Sequence, residues 1–191
     1  MGPRPGRAAA AIWRRRVVAV MAGAGAWALL LGLSACSPTL DWRQVRPEGW
    51  GLVLALPCRP AAQTRQVALA GPAVDVHLLA CAADGHTFAV VSADVADPAR
   101  VGPALLALAD AARANVQGTA SLGSPAVVAG MTPHPAARRW QLRGQLPDGQ
   151  LVQEQVLVFS HGTRVFQATL AGPVAGDALA AAFFDAIEVP Q

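Results

Sequence analysis

Lysine is absent from this 191-residue chain, and its fifteen basic residues are all arginines. Together with many alanines, glycines and prolines, this is typical of high-GC codon bias rather than of a functional choice. Residues 1–35 contain five arginines and no acid, whereas residues 36–191 contain ten arginines and twelve acids, a formal charge of −2. The later part of the chain therefore lacks the basic footprint of a nucleic-acid-binding protein, and we expect no such partner.

Motifs of common enzymes are missing as well. Ser124 and Ser160 lack the Gly-x-Ser-x-Gly frame of a nucleophile elbow. Asp94 and Asp97 lack the remaining ligands of a calcium loop, and a helix N-cap explains Asp97 better. We therefore expect no catalytic residues, no metal and no cofactor.

The histidines are scattered along the chain, at His77, His86, His134 and His161. Asp75 and His77 would share one face of a strand, where they could bind a metal or act as an acid–base pair. This leaves an alternative function open, an envelope hydrolase or metal-dependent enzyme that uses His77 or His134 with aspartate partners. A solvated strand face and exposed loops explain the same residues more simply.

Long hydrophobic runs are also scarce. The longest, residues 17–32, is about sixteen residues long, which is short for a membrane-spanning helix of about 20 residues. An arginine cluster precedes this run, and Leu33-Ser34-Ala35-Cys36 follows it. These features resemble the signal peptide and lipobox of bacterial lipoproteins.

The lipobox resemblance implies that residues 1–35 are a signal peptide and that Cys36 carries the lipid. The alternative is an uncleaved anchor helix with an incidental cysteine. Both arrangements place the domain outside the cytoplasm, because the arginine cluster stays on the cytoplasmic side of the membrane. Ser37 stands where aspartate marks inner-membrane retention in enteric-type bacteria, so we expect a periplasm-facing protein at the outer rather than the inner membrane.

The cysteine count supports export. The chain has three cysteines, and if Cys36 is lipidated, Cys58 and Cys81 remain as a pair in an oxidising compartment. We predict a disulfide between them, worth about 3 kcal/mol. Two free buried thiols are the alternative, and a metal site is less favoured because neither cysteine has a partner at ligand spacing.

The rest of the chain predicts a lipidated tether over residues 36–50 and a single α+β domain over residues 51–191. Val67 and Leu69 are expected to point inward. Asp97 or Gly102-Pro103 starts a first helix, and Asp177 a second. Asp84-Gly85 is a tight hairpin signal. Alternation and turn signals predict strands at residues 51–56, 64–70, 74–81, 87–93, 138–146, 151–159 and 163–170, with a further short one at 126–129. The expected fold is an antiparallel β-sheet of about six to seven strands with two main helices packed on it.

This element order, with the closing segment Phe183-Phe184-Asp185-Ala186-Ile187, resembles PsbP-like domains over residues 51–189. The resemblance implies an antiparallel sheet flanked by helices and a non-enzymatic role in binding or assembly. It carries over no functional residues, because no site motif of that family is visible.

Arg138, Arg139 and Arg143 form the densest basic group of the domain. Arg139 and Arg143 are expected to project from one strand face, where they could contact an anionic partner such as a lipid headgroup, a peptidoglycan carboxylate or an acidic protein patch. The simpler interpretation is a solvated face on which they pair with Glu154 of the next strand. The sequence as a whole predicts an exported, lipid-anchored protein that binds or scaffolds another envelope component without catalysis.

Overall fold

The computed structural model describes residues 39–117, 119–121, 123–146 and 148–190. The predicted signal peptide and the predicted lipidation site at Cys36 lie outside these residues. Within them, no helix is long and apolar enough to cross a membrane. The strands are β1 (Arg43–Val45), β2 (Leu54–Leu56), β3 (Ala61–Ala68), β4 (Ala73–Ala83), β5 (His86–Asp94), β6 (Thr119–Ala120), β7 (Ser124–Pro125), β8 (Arg138–Gln145), β9 (Leu151–His161) and β10 (Arg164–Gly172); the helices are α1 (Pro98–Asn115) and α2 (Asp177–Phe184).

The main sheet is antiparallel and has eight strands in the described part of the chain. Its order is β3-β4-β5-β10-β9-β8-β6, and β7 also pairs with β8. Asp84 and Gly85 join β4 to β5 with positive φ angles of 50° and 72°, which a two-residue type I′ turn requires. The predicted α+β fold is therefore confirmed, and the strand number exceeds the expected six to seven because β6 and β7 have only two residues each.

One face of the sheet, which we call the α2 face, carries Phe88 and Phe166. Phe183 of α2 packs edge-to-face against Phe88, with ring centroids 5.3 Å apart. Phe166 stacks on Phe159 of the neighbouring strand, at 4.9 Å. These four rings are fully buried, and they hold α2 against the middle of the sheet.

The opposite face, which we call the α1 face, carries Trp140, Leu142 and Val156. Helix α1 packs against β9 and β10 and buries an apolar stripe that includes Leu105 and Leu108. Because both faces of the sheet are covered, β9 is buried at eight of its eleven positions. Glu154 and Gln155 are therefore both buried, although they point to opposite faces of the sheet.

The described part of the predicted tether belongs to the folded domain. Arg43–Val45 pairs with Leu54–Leu56 in a two-stranded antiparallel ribbon. Trp42 packs edge-to-face on Phe88 at 5.9 Å, and Trp50 is only 8% exposed. The prediction of a tether over residues 36–50 is thus wrong for residues 42–50, because the tryptophans bury their rings against the domain.

Strand β3 departs from its predicted orientation. It lies at the edge of the sheet, and all eight of its residues are exposed. Val67 is 41% exposed, so the prediction that it points inward is wrong, whereas Leu69 beyond the strand is 5% exposed, as predicted. Alternation identifies a strand, but the ribbon and helices that cover the sheet leave this edge open.

The predicted disulfide between Cys58 and Cys81 is confirmed. It connects the loop after β2 to β4, with Cα atoms 5.9 Å apart. Cys81 lies opposite Phe88 in the β4–β5 pair, and its side chain packs against the core. The bridge therefore ties the N-terminal ribbon to the main sheet.

Helix α1 starts at Pro98, so the alternative start at Gly102-Pro103 is wrong and Pro103 lies inside the helix. The Asp97 carboxylate accepts a hydrogen bond from the Ala99 N–H at 2.9 Å. This N-cap satisfies a backbone donor that the first turn leaves unpaired, and the buried apolar stripe of the helix offsets the cost of the proline inside it.

Removing this cap is expected to lower the free energy of unfolding by about 1 kcal/mol in the Asp97→Ala variant. Denaturant unfolding measures the change. Asp110→Ala is the matched control, because Asp110 is an exposed residue of the same helix that forms only a surface ion pair with Arg113 and should shift stability by less than about 0.5 kcal/mol. Equal losses in the two variants would contradict the cap assignment.

Candidate functional site

Arg139 is the best-placed functional candidate among the predicted residues. It lies on β8 and points to the α2 face, where its guanidinium carbon is 4.1 Å from the centroid of the Phe184 ring. Its Nη2 donates a hydrogen bond to Oε1 of Gln155 on β9, at 2.8 Å. The stacking and the hydrogen bond together fix the plane of the guanidinium.

The Arg139 side chain lines a depression of 480 Å³ between α2 and the end of the sheet formed by β8 and β9. We call it the α2 pocket. Polar groups dominate its wall, which includes Ser121, Ser124, Gln141, Gln155, Asp177 and Asp185. Helix α2 supplies both aspartates, one in its first turn and one at its C-cap. The volume lies in the range of small-molecule binding sites.

The charge of Arg139 is only partly compensated. Burial lowers the pKa of its guanidinium, and the nearby Asp185 carboxylate opposes that effect. Among the described residues, no carboxylate oxygen lies within 4.0 Å of the guanidinium. Arg139 is thus a half-buried cation that faces a cavity without a direct ion pair.

Arg143 does not join Arg139 in this pocket. It is exposed and lies opposite Gln153 in the β8–β9 pair, and it lines a separate depression of 680 Å³ with the exposed Leu151 and Val174. Arg138 points to the other face and donates a hydrogen bond to the Gly123 carbonyl. The three arginines that are adjacent in sequence therefore occupy three different surroundings.

The predicted pairing of these arginines with Glu154 is wrong. Glu154 lies opposite Leu142, which places it on the α1 face, whereas Arg139 and Arg143 lie on the α2 face. Its side chain is 5% exposed, and no described residue forms a hydrogen bond or ion pair with it. Burial raises the pKa of the Glu154 carboxyl to about 7.

Asp75 and His77 share a strand face as predicted, and they line a depression of 350 Å³ with Asp94 and Arg164. Both already have partners from the edge strand, since Gln66 donates to Asp75 and the Thr64 hydroxyl lies 3.0 Å from His77 Nδ1. Residues that are two positions apart on one strand always point to the same face of the sheet. Their proximity therefore adds little support to the enzyme alternative.

The other acidic and histidine candidates have local structural roles. Hydrogen bonds from the Ala96 N–H and the Thr163 hydroxyl lower the pKa of Asp94. His86 and His161 each place Nδ1 within hydrogen-bond distance of a backbone carbonyl, that of Asp84 and that of Gly130, and His134 Nδ1 accepts a hydrogen bond from the Ala136 N–H. In the described ranges, no group of three metal-ligating side chains comes together.

Sequence reasoning missed the polar wall of the α2 pocket. Asp185 lies in the Phe183–Ile187 segment, which the sequence singles out only through its resemblance to PsbP-like domains. Gln155 and Asp177 carry no sequence signal of a site, because α2 meets β8 and β9 only after the sheet is assembled. Arg139 was identified from the density of arginines, which gave no information on its burial.

Comparisons with known proteins do not identify a family. No protein-family model matches the chain, and no curated protein matches it. A crystal structure of a protein from Bacteroides thetaiotaomicron is similar, with 10% sequence identity and a TM-score of 0.42. The similarity covers 77% of this chain and 47% of that one, so this chain spans about half the length of its structural neighbour. The resemblance to PsbP-like domains stays a prediction.

Proposed function

We propose that this chain is an exported lipoprotein, anchored through Cys36, whose domain binds a component of the cell envelope without catalysing a reaction. Its sequence support is the lipobox-like Leu33-Ser34-Ala35-Cys36 placed directly after an arginine cluster and a short apolar run. The Cys58–Cys81 bridge is consistent with an oxidising compartment, because cytosolic proteins rarely keep structural disulfides.

The observation that supports a binding role is the α2 pocket. It presents a half-buried guanidinium and several hydrogen-bonding side chains in one concave site. Convergent polar groups at the wall of a preformed depression are typical of ligand recognition. Two serines line this pocket, but none of its described lining residues is a histidine that could take a proton from a serine hydroxyl.

Lipidation is tested by feeding bacterial cells that express the full chain an alkyne-bearing fatty acid. We expect the wild-type protein to incorporate the label and to separate with outer-membrane fractions on a density gradient. The Cys36→Ser variant should carry no label and should keep residues 1–35, which would make it visibly larger on a gel. Cys58→Ser is the matched control, because it removes a cysteine but leaves the lipobox intact.

An unlabelled wild-type protein that keeps its leader would contradict the proposal and favour the anchor-helix alternative. A labelled protein in the inner-membrane fraction would contradict only the expected destination.

A further inference from the structure

We propose that the α2 pocket binds a short zwitterionic peptide, whose carboxylate pairs with Arg139 and whose ammonium group lies near Asp177. The inference rests on the proposed binding role and specifies the ligand class. It follows from three properties of the pocket: the free donors of Arg139, the charge of the wall and the distance between its ends.

Arg139 binds the carboxylate end of the peptide. A guanidinium has five N–H donors, and only one of them has an acceptor among the described residues, the side chain of Gln155. The ring of Phe184 covers one face of the guanidinium, and the Arg139 side chain lines the cavity with its remaining N–H donors unpaired among the described residues. A carboxylate accepts two parallel hydrogen bonds from such a fork.

The charge of the wall argues for a zwitterion. Arg139 contributes one positive charge, and Asp177 and Asp185 contribute two negative charges, so the ionised wall has a formal charge of −1. A simple anion would pair with Arg139 but would be repelled by the two carboxylates, and a simple cation would leave Arg139 unpaired. A ligand with both charges satisfies both ends.

The geometry of α2 sets the ligand length. Asp177 and Asp185 are eight residues apart, or about 12 Å along a helix axis. Arg139 contacts Phe184 and therefore lies at the Asp185 end. An extended peptide of two or three residues is about 7 to 10 Å long, which is within this span.

The remaining wall suits a peptide backbone. Ser121, Ser124 and Gln141 line the same depression and offer both donors and acceptors. Apolar contacts come from Ala180 and Ala181, which leave room beside α2 for small side chains. Small residues in the ligand are therefore preferred.

Isothermal titration of the full lipidated protein in detergent micelles with tri-alanine tests the inference. We expect saturable binding, and N-acetyl-tri-alanine and tri-alanine amide should each bind at least about tenfold more weakly, because each lacks one charge-assisted contact. Arg139→Met should lose binding of tri-alanine, whereas Arg143→Met, a matched change in the same strand, should bind as the wild type does. Asp177→Asn should weaken tri-alanine but leave the weak binding of the N-acetyl form unchanged.

Absence of tri-alanine binding would overturn the inference, as would binding of either blocked peptide, or of acetate alone, that is as tight as the binding of tri-alanine. If Arg139→Met fails to fold, Arg139→Lys replaces it, since lysine keeps the charge but loses the fork and should still weaken binding. Fatty-acid labelling distinguishes a failure of this ligand from a failure of the lipoprotein proposal. A labelled protein that does not bind tri-alanine refutes the ligand and leaves the lipoprotein proposal standing.

Discussion

Stability is expected to fall by about 3 kcal/mol between pH 4.5 and pH 8, and the Glu154→Gln variant should lose most of this dependence. Glu154 lies on the α1 face between Leu142 and Ala171, with 5% of its surface exposed. Burial without an ionic partner disfavours the carboxylate, which raises the pKa of the native Glu154 carboxyl to about 7 from 4.5.

The direction of the effect follows from proton binding. Below pH 4.5, Glu154 is protonated in both the native and the unfolded protein and contributes nothing to the pH dependence. Between pH 4.5 and pH 7 the native protein keeps the proton while the unfolded chain loses it, so the free energy of unfolding falls as the pH rises. Above pH 7 the full cost of a buried carboxylate is present, about 3 kcal/mol for this shift.

Urea unfolding of the wild type and of Glu154→Gln at a series of pH values measures the effect. At pH 8 the variant should be more stable than the wild type by about 2 kcal/mol, because a buried amide still carries part of the desolvation cost. Glu48→Gln is the matched control, since Glu48 is exposed and a surface substitution should change stability by less than about 0.5 kcal/mol. A variant less stable than the wild type at pH 8 would show that the Glu154 carboxylate has a stabilising partner.

Loss of the Cys58–Cys81 bridge is the second large effect. The Cys58→Ala, Cys81→Ala double variant should have a free energy of unfolding about 3 kcal/mol lower than the wild type, because the bridge closes a loop with a sequence separation of 23 residues in the unfolded chain. Its denaturant m-value should rise, since an unfolded chain without the bridge exposes more surface.

Guanidinium unfolding of the double variant and of Cys36→Ser, with both proteins in the same detergent, provides the comparison. Cys36→Ser also removes a cysteine, but it should keep the stability of the bridged domain. A loss below about 1 kcal/mol in the double variant would mean that the bridge adds little constraint to the unfolded chain.

The features predicted correctly from sequence depend on local chemistry. Asp84-Gly85 specifies a turn because both of its residues adopt positive φ angles. Asp97 specifies a helix start because its own carboxylate reaches the backbone two residues later. The disulfide followed from counting, once Cys36 had been set aside as the lipidation site.

The features that sequence reasoning missed depend on which elements cover which surface. Alternation places Arg139 and Glu154 on neighbouring strands but does not fix the register, and the observed register puts them on opposite faces of the sheet. Val67 alternates correctly but lies beyond the covering ribbon and helices. Arg43–Val45 lies in a proline-containing stretch that the sequence predicts as a tether, yet it pairs with Leu54–Leu56 in an antiparallel ribbon.

The α2 pocket shows the same limit most clearly. Arg139 is recognisable as a candidate, but its stacking on Phe184 and its bond to Gln155 join three elements that are distant in sequence. Asp177 could be expected only as a residue of the first helical turn, where an acidic side chain is favoured whether or not it binds a ligand.

Intact mass spectrometry of the protein purified from membranes decides whether Cys36 carries a lipid. We expect a chain that begins at Cys36 and carries a diacyl or triacyl modification on that residue. A chain that begins at an unmodified Met1, or a mature chain with an unmodified Cys36, would contradict this expectation.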